Sequence, residues 1–238
     1  MEKGLLLVKI IKVIRTVKYF PYYFFKPKTF LFNSPPNEIQ EIGYLDKDRK
    51  VHVNKEFQQN FSKDSFPNTR FHIKLKPGNI SLVWDGEEVL LKKHFSGLSR
   101  FFKFYNEIFC YDRMKEIDNI PKIKYVNFSS FDIFFEFNEG LCLLPLTREN
   151  KNLIRNKFAI DEIENIKSNI TKTVNEVHSL DVFIYDLEMD NIIISYGQVY
   201  FIDFADSLYK GCIPNIIFEK FKKYDRNKLN EIMSIIDR

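Results

Sequence analysis

Three oxygen-bearing side chains, Asp186, Asn191 and Asp203, lie around two runs rich in β-branched and aromatic residues. Because Asp186 and Asn191 are five positions apart, a short loop can turn both side chains towards one point. The runs NIIIS and VYFID flank the turn SYGQ and predict a β-hairpin. This hairpin would return Asp203 to the end at which Asn191 lies, so we expect the three side chains to converge.

Such a group of oxygens suits magnesium, which prefers carboxylate and carbonyl ligands and is commonly shared with substrate phosphates. Phosphate transfer to an alcohol uses the same parts: one acid orients the hydroxyl, while an asparagine and a second acid hold the metal. We therefore predict that Asp186 positions an acceptor hydroxyl and that Asn191 and Asp203 bind Mg²⁺. The alternative is that Asp186 and Asn191 only cap turns, as these residue types often do.

The elements that position these side chains are predicted from hydrophobic periodicity. Apolar residues recur every three or four positions over about 160–180 and predict an amphipathic helix directly before the loop. His178 is expected to satisfy the end of this helix rather than to do chemistry. A basic segment over about 214–237 predicts another helix. The residues that carry the first pattern are Ile163, Ile166, Ile170, Val174 and Val177.

The preceding part of the chain is rich in predicted strands. From Phe71, the runs FHIKLK, ISLVW and VLLKKHF are separated by turns and predict a three-stranded antiparallel meander. A helix is expected over about 98–117, followed by strands near IKYVNF and FDIFFEF. Residues 36–68 are polar, with short strand-like pieces. Because the pattern changes near 138–146, we predict an α+β fold with a β-rich half before a helix-rich half.

Motifs in both halves resemble those of the protein-kinase-like superfamily. YDLEMDN matches its catalytic-loop pattern of Asp, four residues and Asn, and IDF followed by Ala205 is similar to its metal-binding Asp-Phe-Gly turn. VHSLDVF is similar to the helix that precedes this loop. The resemblance spans about 70–210 and implies a two-lobed protein-kinase-like fold that uses ATP and Mg²⁺. Its expected parts are an N-terminal segment at 1–35, a β-rich N-lobe at 36–138 and a minimal helical C-lobe at 139–238.

The same resemblance assigns residues to a nucleotide site. VLLK is similar to the strand that carries the phosphate-anchoring lysine, which makes Lys92 the candidate and Lys93 the second choice. Glu107, on the following helix, would be the ion-pair partner of Lys92, and Asp112 competes for that role. Lysines at the end of an edge strand are otherwise commonly solvated.

The stretch FFEFNEG is similar to the hinge, where backbone groups near Glu136 and Phe137 would meet adenine. Other positions depart from the family pattern. Ile184 and Tyr185 stand where typical protein kinases have His and Arg, and Glu188 replaces a phosphate-facing lysine. The chain contains no Gly-x-Gly-x-x-Gly motif, and KLKPGNIS offers one glycine for the phosphate-covering turn.

Only 35 residues follow Asp203, which argues against a regulated eukaryotic-type protein kinase with a large helical lobe. A minimal lobe is a feature of the bacterial lipopolysaccharide kinases, which phosphorylate Kdo or heptose sugars, and VLLKKHFSGL is similar to their lysine- or arginine-bearing strand. The resemblance implies transfer of the γ-phosphate of ATP to a sugar hydroxyl of a lipopolysaccharide core or related glycolipid. It also implies a cytoplasmic enzyme, peripheral on the inner face of the bacterial cytoplasmic membrane.

The N-terminal segment, 1–35, is basic and aromatic. Its lysines and Arg15 interrupt every window long enough to span a bilayer, and it lacks the cleavage pattern of a secretory signal. We expect a helix lying in the interface of an anionic membrane surface. The alternative is a helix packed on its own domain, with its lysines solvated.

Other functions remain open at this point. The acceptor could be a small molecule, as in aminoglycoside phosphotransferases, or a protein, as in small atypical kinases. The chain could also be a pseudokinase that binds a partner and transfers nothing. A net charge of +4 is modest for a nucleic-acid partner, which we do not expect. Three scattered cysteines and four scattered histidines give neither a disulfide framework nor zinc-ligand spacing.

Overall fold

A computed structural model confirms the predicted α+β class, with an antiparallel six-stranded sheet followed by long helices and two smaller sheets. It describes residues 32–36, 38–45, 51–53, 80–97, 99–138, 140–143, 154, 158–195, 197–209 and 215–237. The strands are β1 (Gln40–Leu45), β2 (Val51–Val53), β3 (Ile80–Trp84), β4 (Val89–His94), β5 (Ile123–Asn127), β6 (Asp132–Glu136), β7 (Leu141–Cys142), β8 (Val182–Phe183), β9 (Ile192–Ser195), β10 (Gln198–Phe201) and β11 (Leu208–Tyr209). The helices are α1 (Arg100–Met114), α2 (Ile160–Ser179) and α3 (Asn215–Ile236).

The large sheet has the order β2-β1-β3-β4-β6-β5, and all neighbours are antiparallel. The β3–β4 hairpin was predicted, and its turn is closed by Asp85 Oδ1, which accepts the N–H groups of Glu87 and Glu88. The predicted meander is wrong in one pairing: β3 has β1 and β4 as its two neighbours, so no edge of β3 is left for residues 71–76. Those residues lie outside the described ranges.

Helix α1 connects β4 with β5 and packs against β6. It was predicted over about 98–117 and is shorter at both ends. Phe104, Ile108, Tyr111 and Met114 recur at helical spacing and are all buried. Because this face fixes the helix against the sheet, the residues beside it are held at a constant distance from β4.

Helix α2 and the β9–β10 hairpin form the second half. The N–H of Ala159 donates to Glu162 Oε2 at 2.7 Å and thereby caps the start of α2. The five apolar residues of the predicted stripe are buried, and α2 packs against α3, β8 and β10. The predicted hairpin is confirmed, with Ile192 opposite Phe201. Its turn contains Gly197 at φ +77°, which favours glycine.

The predicted interfacial segment lies mostly outside the described residues, which begin at Phe32. Where this segment ends, the carbonyl of Asn33 accepts the N–H of Val126 at 3.0 Å and lies beside β5. None of the helices in the described ranges is long and apolar enough to cross a membrane. The division into lobes at 36–138 and 139–238 stays a prediction.

Candidate functional site

A cleft lies between the large sheet and the β9–β10 hairpin, with an empty volume of about 500 Å³ including its mouth. Its walls are mainly apolar, and three of its four charged residues, Lys93, Glu107 and Asp203, contact one another. The apolar lining residues from the large sheet are Ile80, Leu91, Phe135 and Phe137, and those from the hairpin side are Ile193 and Ile202. The charged residues of the lining are Lys93, Glu107, Glu136 and Asp203.

A buried ion-pair cluster lies in this cleft. Lys93 Nζ donates to Glu107 Oε1 at 2.8 Å and to Glu107 Oε2 at 2.6 Å. The same ammonium donates to Asp203 Oδ1 at 2.9 Å. The lysine and the glutamate are almost fully buried, with 7% and 1% of their surfaces exposed. One lysine therefore joins β4, α1 and the segment after β10.

The predicted pairing of Lys92 with Glu107 is wrong, because successive side chains of a strand point to opposite faces. Lys92 lies on the other face of β4, with its Nζ 3.7 Å from Asp132 Oδ2. Lys93, the second choice, occupies the position expected for the anchoring lysine. Asp112 is not a partner either, since it forms an exposed pair with Lys115 at 3.5 Å.

Burial and charge act in opposite directions on this cluster. Burial alone would lower the pKa of Lys93, but the carboxylates of Asp203 and Glu107 hold that pKa well above its usual value. Burial raises the pKa of Glu107, and the negative charge of Asp203 adds to this effect against the attraction of Lys93. One ammonium faces two carboxylates, so the cluster carries an excess of negative charge.

Asp186 and Asn191 are joined by the short loop that the sequence predicted. Asn191 Nδ2 donates to the Asp186 carbonyl at 2.9 Å and to its Oδ2 at 3.3 Å. The Asn191 carbonyl accepts the N–H of Ile202 at 3.0 Å, which places Asp203 at the same end of the hairpin. Burial, followed by the charge of Asp203, raises the pKa of Asp186. The convergence of these three residues is therefore as predicted.

Two residues of the site that are not glycine adopt left-handed backbone conformations. They are Tyr185, at φ +65°, and Asp203, at φ +63°. Such conformations are strained and persist only where the surroundings hold them. Asp225 on α3, which is fully buried, accepts the N–H groups of Ile184 at 2.8 Å and Tyr185 at 3.2 Å. It therefore fixes the backbone directly before Asp186.

Sequence analysis missed Asp225, although its position carries a signal. It falls on the buried stripe of α3, with Phe218 seven residues before it and Leu229 four residues after it. An acid at such a position needs partners, and His178 Nε2 lies 2.9 Å from Asp225 Oδ2. His178 was expected to satisfy the end of α2, whereas its side chain contacts Asp225 on α3.

Replacing Asp225 by alanine is expected to lower the free energy of unfolding by about 3 kcal/mol, because two backbone N–H groups and His178 would lose a buried charged partner. Asp225→Asn should cost less, since an amide oxygen can still accept from the backbone. Denaturant titration would measure both. Glu219→Ala on the exposed face of α3 is the control, with an expected change within about 0.5 kcal/mol. Equal stability of Asp225→Ala and the wild type would contradict this role.

Asn106 is a second residue that sequence analysis missed. It precedes Glu107 on α1 and is buried, and its Nδ2 donates to the carbonyls of Ala205 at 2.7 Å, Ser207 at 2.9 Å and Phe204 at 3.4 Å. These carbonyls follow Asp203 directly. The asparagine therefore holds the segment after Asp203 against the helix that carries Glu107.

Asn106→Leu is expected to destabilise the protein by about 2 kcal/mol, because buried carbonyls would lose their donor. The residues after Asp203 should also become more sensitive to limited proteolysis. Asn165→Leu removes two exposed contacts, one to the Gly197 carbonyl at 3.3 Å and one from Asn169 Nδ2 at 3.4 Å, and should change the stability by less than about 0.5 kcal/mol. An unchanged melting temperature and cleavage pattern for Asn106→Leu would show that the contact is dispensable.

Backbone groups near Glu136 and Phe137 were expected to meet adenine. Glu136 and Phe137 line the cleft. The N–H of Glu136, however, donates to the carbonyl of Lys122 at 2.9 Å, and Glu136 Oε2 accepts the N–H of Lys122 at 3.2 Å. The Glu136 N–H is therefore used within the sheet and is not available to adenine.

The site offers a small set of oxygen ligands for a metal ion. Within the described ranges, no cluster of three or more His, Cys, Asp or Glu side chains could hold a metal ion alone. Asn191 and Asp203 provide two oxygen side chains at the end of the hairpin, which fits an ion that takes its remaining ligands from substrate phosphates and water. The negative excess around Asp203 favours a cation in the same place.

Comparisons with other proteins do not assign the chain to a family. No family model matches it, and no curated protein sequence matches it either.

Proposed function

We propose that this protein is a kinase with a two-lobed protein-kinase-like fold, which transfers the γ-phosphate of ATP to a sugar hydroxyl of a lipopolysaccharide core or related glycolipid. One observation carries the proposal: Lys93 pairs with Glu107 and Asp203 in the lining of an apolar cleft, and Asp186 lies within the electrostatic influence of Asp203. Each of these groups has a distinct part in phosphate transfer.

The cleft suits the nucleotide in two respects. Its aliphatic and aromatic walls match the flat faces of adenine. Lys93 remains an ammonium at neutral pH because its two carboxylates raise its pKa. Its three N–H groups donate to Glu107 and Asp203, so a phosphate oxygen would take the place of one of these contacts. Glu107, a buried residue of α1, would keep this ammonium in place.

Asn191 and Asp203 would hold magnesium through their side-chain oxygens. Asn191 Nδ2 is directed to Asp186, so its Oδ1 is the atom of this amide that suits the metal. When bound, magnesium would neutralise charge on the phosphates. The Lys93 ammonium is also positively charged, and it contacts Asp203, which is a proposed magnesium ligand. The lysine and the metal would therefore act on the same phosphates.

Asp186 would orient the acceptor hydroxyl and take its proton. The hydroxyl oxygen forms a bond to the γ-phosphorus, and the bond from this phosphorus to the bridging oxygen of ADP breaks. The proton passes to an Asp186 oxygen, and the electron pair of the broken bond leaves with ADP. Burial and the charge of Asp203 raise the pKa of Asp186, which makes this carboxylate a better base than an exposed aspartate.

A sugar is proposed as the acceptor because VLLKKHFSGL and the short segment after Asp203 resemble those of lipopolysaccharide kinases. An acceptor of this kind fits peripheral binding at the cytoplasmic face of a bacterial membrane, and the basic N-terminal segment fits an anionic surface. A small-molecule or protein acceptor would use the same cleft. A pseudokinase is the further alternative, motivated by Tyr185 and by Glu188, whose carboxylate pairs with Lys228 at 3.4 Å.

The test is transfer of radiolabelled γ-phosphate from ATP by the full chain. Extracted bacterial glycolipid, free sugars and a generic protein substrate serve as separate acceptors, with and without magnesium. We expect label in the lipid fraction, and no label when magnesium is chelated. Asp203→Ala should also give no label, because it removes both a proposed metal ligand and the second partner of Lys93.

Each outcome selects among the alternatives. Label in free sugar or in protein would replace the glycolipid by that acceptor class. Transfer that continues at full rate in Asp203→Ala or without a divalent ion would overturn the proposed metal site. ATP binding without transfer to any of the acceptors would favour a pseudokinase.

A further inference from the structure

Asn138 lies in the connection between β6 and β7, directly after the hinge-like residues Glu136 and Phe137. It lines the same cleft as Lys93 and Asp203. Its Nδ2 atom is buried and has no hydrogen-bond partner. A buried amide donor without an acceptor is costly, and such atoms in folded proteins call for an explanation.

Among the described residues, buried side-chain atoms without partners occur also in Asn106 and His178. Neither of these residues belongs to the lining of the cleft. The Asn138 donor is therefore distinguished by its location, because its residue belongs to the lining of the cleft. The walls near it are apolar, so the ligand must itself bring the missing acceptor.

We propose that the side chain of Asn138 reads the base of the nucleotide, with Nδ2 donating to a ring nitrogen of adenine and Oδ1 accepting from the 6-amino group. This inference rests on the proposed function. A carboxamide pairs with adenine through two hydrogen bonds, because adenine presents an acceptor nitrogen beside an amino donor. Guanine has a carbonyl oxygen in place of that amino group, so the same orientation of the amide leaves two acceptors facing each other.

The neighbouring backbone supports a side-chain role. The N–H of Glu136 is already used by the carbonyl of Lys122. This N–H is therefore not a donor for the base, whereas Asn138 Nδ2 is a donor without a protein partner. The apolar walls fix the plane of the base, while Asn138 selects among bases.

The experiment measures displacement of a ribose-labelled fluorescent ATP from the full chain by ATP, GTP, 1-deaza-ATP and 7-deaza-ATP. The proteins are the wild type, Asn138→Leu and Asn138→Asp, which keeps the shape but removes the donor. Asn175→Leu, on the exposed face of α2, is the control. Thermal unfolding of each variant shows whether its fold is retained.

We expect the wild type to bind ATP at least tenfold more tightly than GTP. Asn138→Leu and Asn138→Asp should weaken ATP binding about tenfold and reduce the preference over GTP, whereas Asn175→Leu should change neither. One of the two deaza nucleotides, which lacks the paired ring nitrogen, should bind the wild type about tenfold more weakly than ATP. For Asn138→Leu this difference should disappear, because the donor is already gone.

Three results would overturn the inference. If the wild type binds ATP but both Asn138 variants keep its affinity and its preference over GTP, Asn138 does not read the base, and the proposed kinase function stands. If the wild type binds no nucleotide, this inference and the proposed function fail together. A deaza penalty that is equal in the wild type and in Asn138→Leu would place the base contact on another group.

Discussion

Replacing Asp186 by asparagine is expected to lower the rate of phosphate transfer about 10²–10⁴-fold, the usual contribution of a positioned acid or base. The amide has nearly the same shape and can still accept from Asn191 Nδ2, so the loop should keep its conformation. An amide cannot, however, take the proton of the acceptor hydroxyl. Binding of ATP should stay within about threefold of the wild type, since Asp186 is not assigned to the nucleotide.

Steady-state transfer assays and ATP titration would separate these effects. Glu188→Gln is the matched control, because it removes a carboxylate two residues further along the same loop, one that pairs with Lys228. Its transfer rate is expected within about threefold of the wild type. A large loss of transfer in Glu188→Gln together with an active Asp186→Asn would show that Glu188, and not Asp186, is the base.

The second large effect is expected for Lys93→Met. This change leaves the buried Glu107 and the partly exposed Asp203 close together without their ammonium, and breaking a buried ion pair on one side costs about 3–5 kcal/mol. The variant should therefore unfold at a lower denaturant concentration and transfer phosphate at least 10²-fold more slowly. The neighbouring substitution Lys92→Met is the control, because Lys92 makes only a partly exposed contact at 3.7 Å to Asp132. It should cost less than about 1 kcal/mol and leave transfer nearly unchanged.

A double-mutant cycle with Glu107→Gln separates the ion pair from general damage. The two stability losses should add up to more than the loss in the double variant, because the pair is broken only once. Strict additivity would mean that Lys93 and Glu107 act independently. Similar losses for Lys92→Met and Lys93→Met would contradict the assignment of the two faces of β4.

The sequence was sufficient to predict the local part of the site. Asp186 and Asn191 are joined by a short loop, and the hairpin brings back Asp203, so strand and turn patterns determine their meeting. These relations depend on spacings of a few residues, which propensity and periodicity capture. Glu107 was assigned by the resemblance to the kinase family, with Lys92 rather than Lys93 as its partner.

The remaining parts depend on packing between distant elements. Both Leu90 and Leu91 are apolar, so alternation along β4 could not determine which of Lys92 and Lys93 faces the cleft. Asp225 and Asn106 bond to backbone groups about 40 and 100 residues away in the chain. No local pattern identifies such partners. The pairing of β1 with β3 was not predicted either, since the polar stretch that contains β1 has a weak strand signal.

The dependence of the Asp186 loop on Asp225 also affects the order of events during synthesis. Asp225 is 39 positions after Asp186, so at about 5–20 residues per second it is made about 2–8 s later. During that interval the strained turn at Tyr185 lacks its acceptor. A nascent chain that already contains Lys93, Asp186 and Asp203 would therefore stay inactive until α3 emerges from the ribosome and docks.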